Sequence, residues 1–170
     1  RGWNAGKLSG IEPSVNLPPI ILDWFAARGW QPRRHQLEML DAAGDGRHAL
    51  LVAATGAGKT LAGFLPSLSD LIADPSDGLH TLYISPLKAL ATDVRRNLLT
   101  PVEEMGLPIR VEARTGDTPS DRKARQRVKP PHILLTTPES LSLLLSHEDS
   151  VHMFATLKRV IVDEVHAFAN

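Results

Sequence analysis

Three observations predict an α/β fold in which a parallel sheet carries helices on both faces. Short apolar runs near 49–53, 80–85, 109–113, 132–136 and 158–163 alternate with longer helix-compatible stretches, the rhythm of strand–helix–strand crossovers. Two of the runs, Ala49-Leu50-Leu51-Val52-Ala53 and Arg159-Val160-Ile161-Val162, lack inside–outside alternation and so read as strands buried on both faces. Both give way to residues with chemistry to do, at the carboxyl ends where open parallel sheets collect ligands.

Taken in order, residues 1–16 mix Gly, Ser, Asn and Pro without periodicity and read as a poorly ordered lead-in, leaving 17–170 as one lobe. From Leu17, the spacing of Ile20, Ile21, Trp24 and Phe25 lays one apolar stripe on a helix that ends at Gly29. Pro32 to Ala43 predicts a second helix with Leu37 and Leu40 inward. After the strand at 49–53, helices are expected near 59–72, 87–105, 120–127, 138–146 and 151–156. Pro66 and Pro101 fall inside two of them, and each should kink its helix or start a new one. The strand at 109–113 has the weakest pattern because its apolar residues alternate with charges.

Composition bounds the rest. Apolar content of 42% and charged content of 22% are those of an ordinary globular domain. Nineteen basic and nineteen acidic residues cancel, so any pull on a polyanion must be local. Arg95, Arg96, Arg110, Arg114, Arg122, Lys123, Arg125, Arg127 and Lys129 cluster between 95 and 129, as a groove lining or as a solvated helix face. Cysteine is absent, which suits a reducing cytoplasm, and no apolar run approaches membrane-spanning length.

Residues 53–60 read A-A-T-G-A-G-K-T between a strand and a helix. In that context the turn is a phosphate cradle. Gly56 and Gly58 let successive N–H groups point at one place, Thr55 and Ala57 complete the loop, and the helix N-terminus adds partial positive charge. Lys59 reaches β- and γ-phosphates, and the Thr60 hydroxyl suits Mg²⁺. D-E-V-H at 163–166 closes the last strand. Asp163 would hold Mg²⁺ through water, since that ion dehydrates reluctantly, and Glu164 would orient or deprotonate an attacking water. These residues name ATP and Mg²⁺ as cofactors. His166 is a loop histidine or a relay of nucleotide state.

With D-E-V-H following A-A-T-G-A-G-K-T, the chain resembles the first RecA-like lobe of a superfamily 2 DExH-box helicase. Trp30-Gln31-Pro32-Arg33-Arg34-His35-Gln36 resembles the adenine-reading motif of such enzymes, with Gln36 as the reader. Ser85-Pro86-Leu87-Lys88-Ala89-Leu90-Ala91-Thr92-Asp93 and Thr136-Thr137-Pro138-Glu139-Ser140-Leu141 resemble the first and second nucleic-acid-contact motifs. Arg114-Thr115-Gly116-Asp117-Thr118 resembles a segment of the large-helicase-related (Lhr) family, and the flow of motifs is most similar to its ligase-associated DNA damage response branch. The resemblance implies a P-loop NTPase lobe acting on single-stranded DNA in DNA repair, with RNA and RNA–DNA hybrids left open. Pro86, Lys88, Arg114, Thr136, Thr137 and Glu139 would meet the strand, His166 would couple the two sites, and a second RecA-like lobe would be the partner within the parent chain.

The family pattern continues beyond Asn170 into that second lobe with its arginine fingers. The 170 residues alone are therefore expected to bind ATP weakly and turn it over slowly. A nucleotide-gated nucleic-acid-binding module and a P-loop phosphotransferase are the alternatives, and the intact Lys59, Thr60, Asp163 and Glu164 set argues against the first.

Overall fold

A computed structural model describes residues 17–53, 58–75, 77–86 and 94–168. Its centre is a four-stranded sheet: β1 (Thr81–Ile84), β2 (Val111–Arg114), β3 (Ile133–Thr136) and β4 (Arg159–Val162). The spatial order is β2-β3-β1-β4, and every pairing is parallel. The alternation of apolar runs and helical stretches thus produced the expected architecture at four of its five strand positions.

Parity along the strands sends side chains to two separate layers. Tyr83, Ile133, Leu135 and the half-buried Val111 and Ile161 join one core cluster. It is closed by α1 (Pro19–Ala27), α3 (Lys59–Ala73) and a π turn (Arg95–Leu99) that runs into α4 (Thr100–Glu104). Leu82, Leu134 and Ile84 face the other way, against Leu144, Leu141 and Met153 of α6 (Pro138–Leu145) and α7 (Ser150–Phe154). Between these, α2 (Arg34–Gly44) leads toward the cradle and α5 (Ser120–Val128) follows β2.

The helix boundaries follow local chemistry. Pro19 starts α1, whose buried residues are Ile21, Trp24 and Phe25, and Gly29 ends the run at φ +65°, a conformation open to glycine. Thr137 caps α6 by accepting from the Ser140 N–H at 3.3 Å, with Pro138 as its first residue. Pro101 sits in the first turn of α4, where the helix changes from π to α geometry. Pro66 does not start a new helix: α3 runs through it as one element from Lys59 to Ala73. Eight residues of α3, Pro66 among them, are buried, and that packing outweighs a local cost of about 3 kcal/mol.

One expected strand is missing. Residues 49–53 form no ladder, and Leu50 and Val52 stand 78% and 84% exposed. They face β4 across a cavity of about 750 Å³ that both segments line. Val160 and Val162 of β4 are also exposed on that side. The apolar run has the composition of a buried strand, but it pairs with no described strand and leaves its side chains exposed. Among the described residues, no helix is long and apolar enough to cross a membrane.

β1 and β3 are each entered through a buried histidine. His80 and His132 are 1% and 7% exposed, and the His80 N–H donates to the His132 carbonyl. Burial lowers the pKa of both; Arg110 pushes His132 further down, while Asp70 partly offsets the effect at His80. His132 Nδ1 accepts the Arg110 N–H at 3.0 Å, a bond that only the unprotonated nitrogen can make. With folded-state values below the unfolded 6.5, the unfolded chain binds protons first as pH falls, so stability is lost downward through that range. Denaturant unfolding from about pH 7.5 to about pH 5.5 should show a falling midpoint, and His132→Gln should remove part of the fall. A midpoint that is flat across the range in both proteins contradicts this assignment.

Candidate functional site

The cradle helix and the acidic strand end meet in one place. Lys59, Thr60, Tyr83, Asp163, Glu164 and His166 all line the 750 Å³ cavity beside β4. Thr55, Gly56 and Ala57 lie outside the described residues, as does Lys88.

At the cradle, Gly58 precedes α3 with φ +76°, and a Cβ there would sit 3.0 Å from Gln36 Nε2. The positive φ favours glycine, and the close approach shows that the Gln36 amide packs directly on Gly58. Gln36 is 3% exposed and accepts the Arg33 N–H through Oε1 at 2.8 Å, so its orientation is set by the first turn of α2. Lys59 donates from Nζ to the Ala53 carbonyl at 2.8 Å and forms no ion pair among the described residues. A neutral carbonyl is a weak partner for an ammonium, and anionic oxygens entering the cavity would outcompete it.

Asp163 stands one residue past β4, where its N–H donates to the Ile84 carbonyl at 2.9 Å and extends the ladder. The Tyr83 hydroxyl donates to Oδ2 at 2.6 Å, and the Glu164 N–H donates to Oδ1 at 2.8 Å. Glu164 takes φ +51°, a left-handed conformation that costs a non-glycine residue about 1–3 kcal/mol and is commonest at functional sites. Its carboxylate lies 3.3 Å from His166 Nδ1. His166 is the second residue of a short 3₁₀ turn (Val165–Phe168) and is 80% exposed. No described group of three or more acidic or histidine ligands could hold a metal by itself.

Most of the residues expected to meet nucleic acid are turned inward. Arg114 is 4% exposed, with Nη1 donating to the Lys123 carbonyl at 2.8 Å and to Gln126 Oε1 at 3.3 Å. Burial, with Arg127 nearby, lowers its pKa. In this structure it is a strut between β2 and α5, not a surface cation. Thr136 is fully buried and donates to the Arg114 carbonyl at 2.8 Å; Thr137 is the helix cap. Pro86 is half-buried and Glu139 exposed. The basic run is partly engaged at the surface: Arg125 pairs with Glu112 at 2.7 Å, and Lys123 Nζ donates to the Gly116 carbonyl at 2.9 Å.

Trp24 is core, 8% exposed, with Nε1 donating to Glu104 at 2.9 Å. Trp30 packs edge-on against it at 6.0 Å and remains half exposed. Tyr83 lies outside the motifs yet lines the same cavity and bonds Asp163. Its signal was present: a lone tyrosine inside an apolar strand must find a partner for its hydroxyl.

The geometry agrees with what this chain is similar to. The family model for DEAD/DEAH box helicases matches residues 33–170. A Lhr helicase/probable uracil glycosylase of Mycolicibacterium smegmatis is 41% identical over 95% of this chain and 12% of its own length. An ATP-dependent helicase Lhr-Core of Methanocaldococcus jannaschii is 40% identical over 88% of this chain and 20% of its own. Among solved structures, Mycobacterium smegmatis helicase Lhr bound to ssDNA and AMP-PNP superposes with a TM-score of 0.78 at 41% identity, covering 94% of this chain and 22% of that one. The chain therefore spans about one-fifth or less of the length of these relatives.

The buried Arg114 makes a discriminating prediction. Arg114→Ala should lower unfolding stability by about 1–3 kcal/mol, because it strands the Gln126 amide and the Lys123 carbonyl. It should leave the salt dependence of single-stranded DNA affinity unaltered. A slope reduced by about one unit with unchanged stability would instead put the guanidinium on a phosphate.

Proposed function

We propose, from the premise that this chain belongs to the DEAD/DEAH box helicase family, that it is the nucleotide-binding lobe of an ATP-driven motor acting on single-stranded DNA. The observation that carries this reading is the shared cavity of Lys59, Thr60, Asp163 and Glu164. Such convergence serves no structural purpose: it leaves an ammonium, a hydroxyl and two carboxylates around open space.

Each residue then has a task. The Lys59 ammonium leaves the Ala53 carbonyl for the β- and γ-phosphate oxygens, while Gln36 reads the adenine edge beside Gly58. Thr55, Gly56 and Ala57 supply backbone N–H groups to the phosphates. Thr60 and Asp163 would hold Mg²⁺. The donor set fits: each Asp163 oxygen accepts one hydrogen bond and keeps further lone-pair capacity, and so small a protein set suits a cation that retains water and phosphate ligands. When bound, the ion neutralises charge on the β- and γ-phosphates. Glu164 orients a water for in-line attack on the γ-phosphorus and accepts its proton as ADP leaves. His166, touching Glu164 from the exposed 3₁₀ turn, is placed to pass that change toward a bound strand.

The strand site is expected on the same rim, where Pro86, Lys88, Thr136, Thr137 and Glu139 follow β1 and β3. Binding there is backbone-directed through N–H groups and a few side chains, so it tolerates sequence. The relative bound to ssDNA and AMP-PNP supports this reading, and the ligase-associated repair branch is proposed on the motif flow. The remainder of the parent would supply a second RecA-like lobe with arginine fingers, in a cytoplasmic setting.

Two outcomes test the proposal. In the full-length protein, Glu164→Gln should keep nucleotide affinity and cut DNA-stimulated phosphate release at least 100-fold, the lower range of a general base's contribution. Surviving turnover would remove Glu164 from water activation, and transfer of label to an acceptor other than water would favour a phosphotransferase. The 170 residues alone should hydrolyse ATP about 10³-fold or more slowly than the parent, for want of arginine fingers. Several turnovers per second from these residues alone, stimulated by single-stranded DNA, would show that no second lobe is needed.

A further inference from the structure

Tyr83 is the only tyrosine in the chain, and its ring is fully buried in the centre of the sheet. It stacks on Phe64 of α3 at 5.0 Å between centroids and 29° between planes. Phe64 lies one helical turn from Thr60, so the same stack that anchors Tyr83 also anchors the helix presenting Lys59 and Thr60. Across the ladder Tyr83 is in register with Ile161. Asp163 is two residues further on and shares that face, within reach of a long side chain on the diagonal.

The hydroxyl ends on Asp163 Oδ2 at 2.6 Å, the length of a bond to a charged acceptor. The opposite oxygen is held by the Glu164 N–H. A phenylalanine would fill the same volume and stack as well on Phe64. What the hydroxyl adds is directional: it clamps the carboxylate from the side opposite the Glu164 amide. A clamped carboxylate has no rotamer freedom to lose when a cation arrives, and its remaining lone pairs keep a constant aim.

We propose that Tyr83 is a positioning residue, holding the Asp163 carboxylate in the orientation that receives the nucleotide-bound divalent cation. This rests on the nucleotide reading above. Tyr83 touches neither nucleotide nor reacting water in this role; it acts through Asp163 alone.

The test titrates the full-length protein with a fluorescent, non-hydrolysable ATP analogue, once in saturating MgCl₂ and once in EDTA. The unsubstituted protein, Tyr83→Phe, Asp163→Asn and the double variant are compared. Tyr83→Phe should weaken binding roughly tenfold in Mg²⁺, in line with loss of one hydrogen bond to a charged group, and leave it unchanged in EDTA. In the Asp163→Asn background the same change should have no further effect. Thermal unfolding checks that each variant folds, and the Mg²⁺-to-EDTA ratio within each variant cancels any general loss of stability. Equal weakening in both buffers would make Tyr83 a packing residue, and additivity with Asp163→Asn would show that it does not act through that carboxylate. An unchanged ratio in Tyr83→Phe overturns the proposal while leaving the nucleotide reading intact. No Mg²⁺ enhancement in the unsubstituted protein overturns both.

Discussion

The site depends on the parallel ladder between β1 and β4. That ladder runs one bond past the end of β4, from the Asp163 N–H to the Ile84 carbonyl, and so fixes Asp163 at the carboxyl rim. The Tyr83 hydroxyl and the Phe64 ring then tie this rim to α3. Helix and strand are far apart in the chain, yet one stack and two hydrogen bonds decide that Lys59 and Asp163 open onto the same space. Parallel pairing makes this possible, because it brings every strand's carboxyl end to one side and leaves loops there free to carry chemistry.

What could be read in the residues was whatever chemistry constrains locally. A phosphate cradle needs small residues before a helix start, and a cation site at a strand end needs a carboxylate immediately after an apolar run; both leave a linear trace. The parallel sheet followed from apolar runs that alternate with helix-compatible stretches, and the same alternation places α5, α6 and α7 near 120–127, 138–146 and 151–156. The misreadings share a cause. Residues 49–53 carry the composition of a buried strand, but composition reports what a segment needs to cover, not which neighbour stands beside it. Arg114 looked like a surface cation because a charge count does not tell which way a side chain points, and its partner Gln126 becomes a neighbour only once α5 folds back on β2. Pro66 could have kinked α3 or started a new helix; α3 continues through it as one buried element.

The inward turn of Arg114, Thr136 and Thr137 changes how the nucleic-acid side should be viewed. These residues build the rim more than they decorate it: the Thr136 hydroxyl holds the Arg114 carbonyl, and Thr137 caps the helix that follows. A strand lying on this rim would meet backbone N–H groups and exposed residues such as Glu139, on a platform whose stiffness comes from buried polar bonds. β1 carries Tyr83 toward Asp163 and leads directly into Ser85-Pro86, so a nucleotide bound beside Asp163 would have a short covalent route to that turn.

The central claim is that Lys59 and Asp163 serve one bound triphosphate, and a structure of the full-length protein with Mg²⁺ and a non-hydrolysable ATP analogue tests it most directly. The account predicts that Lys59 Nζ, now 2.8 Å from the Ala53 carbonyl, will have left it for the β- and γ-phosphates, with Asp163 facing the same phosphates across a water-coordinated cation. A bound nucleotide with Lys59 still on Ala53, or with its phosphates remote from Asp163, would contradict it.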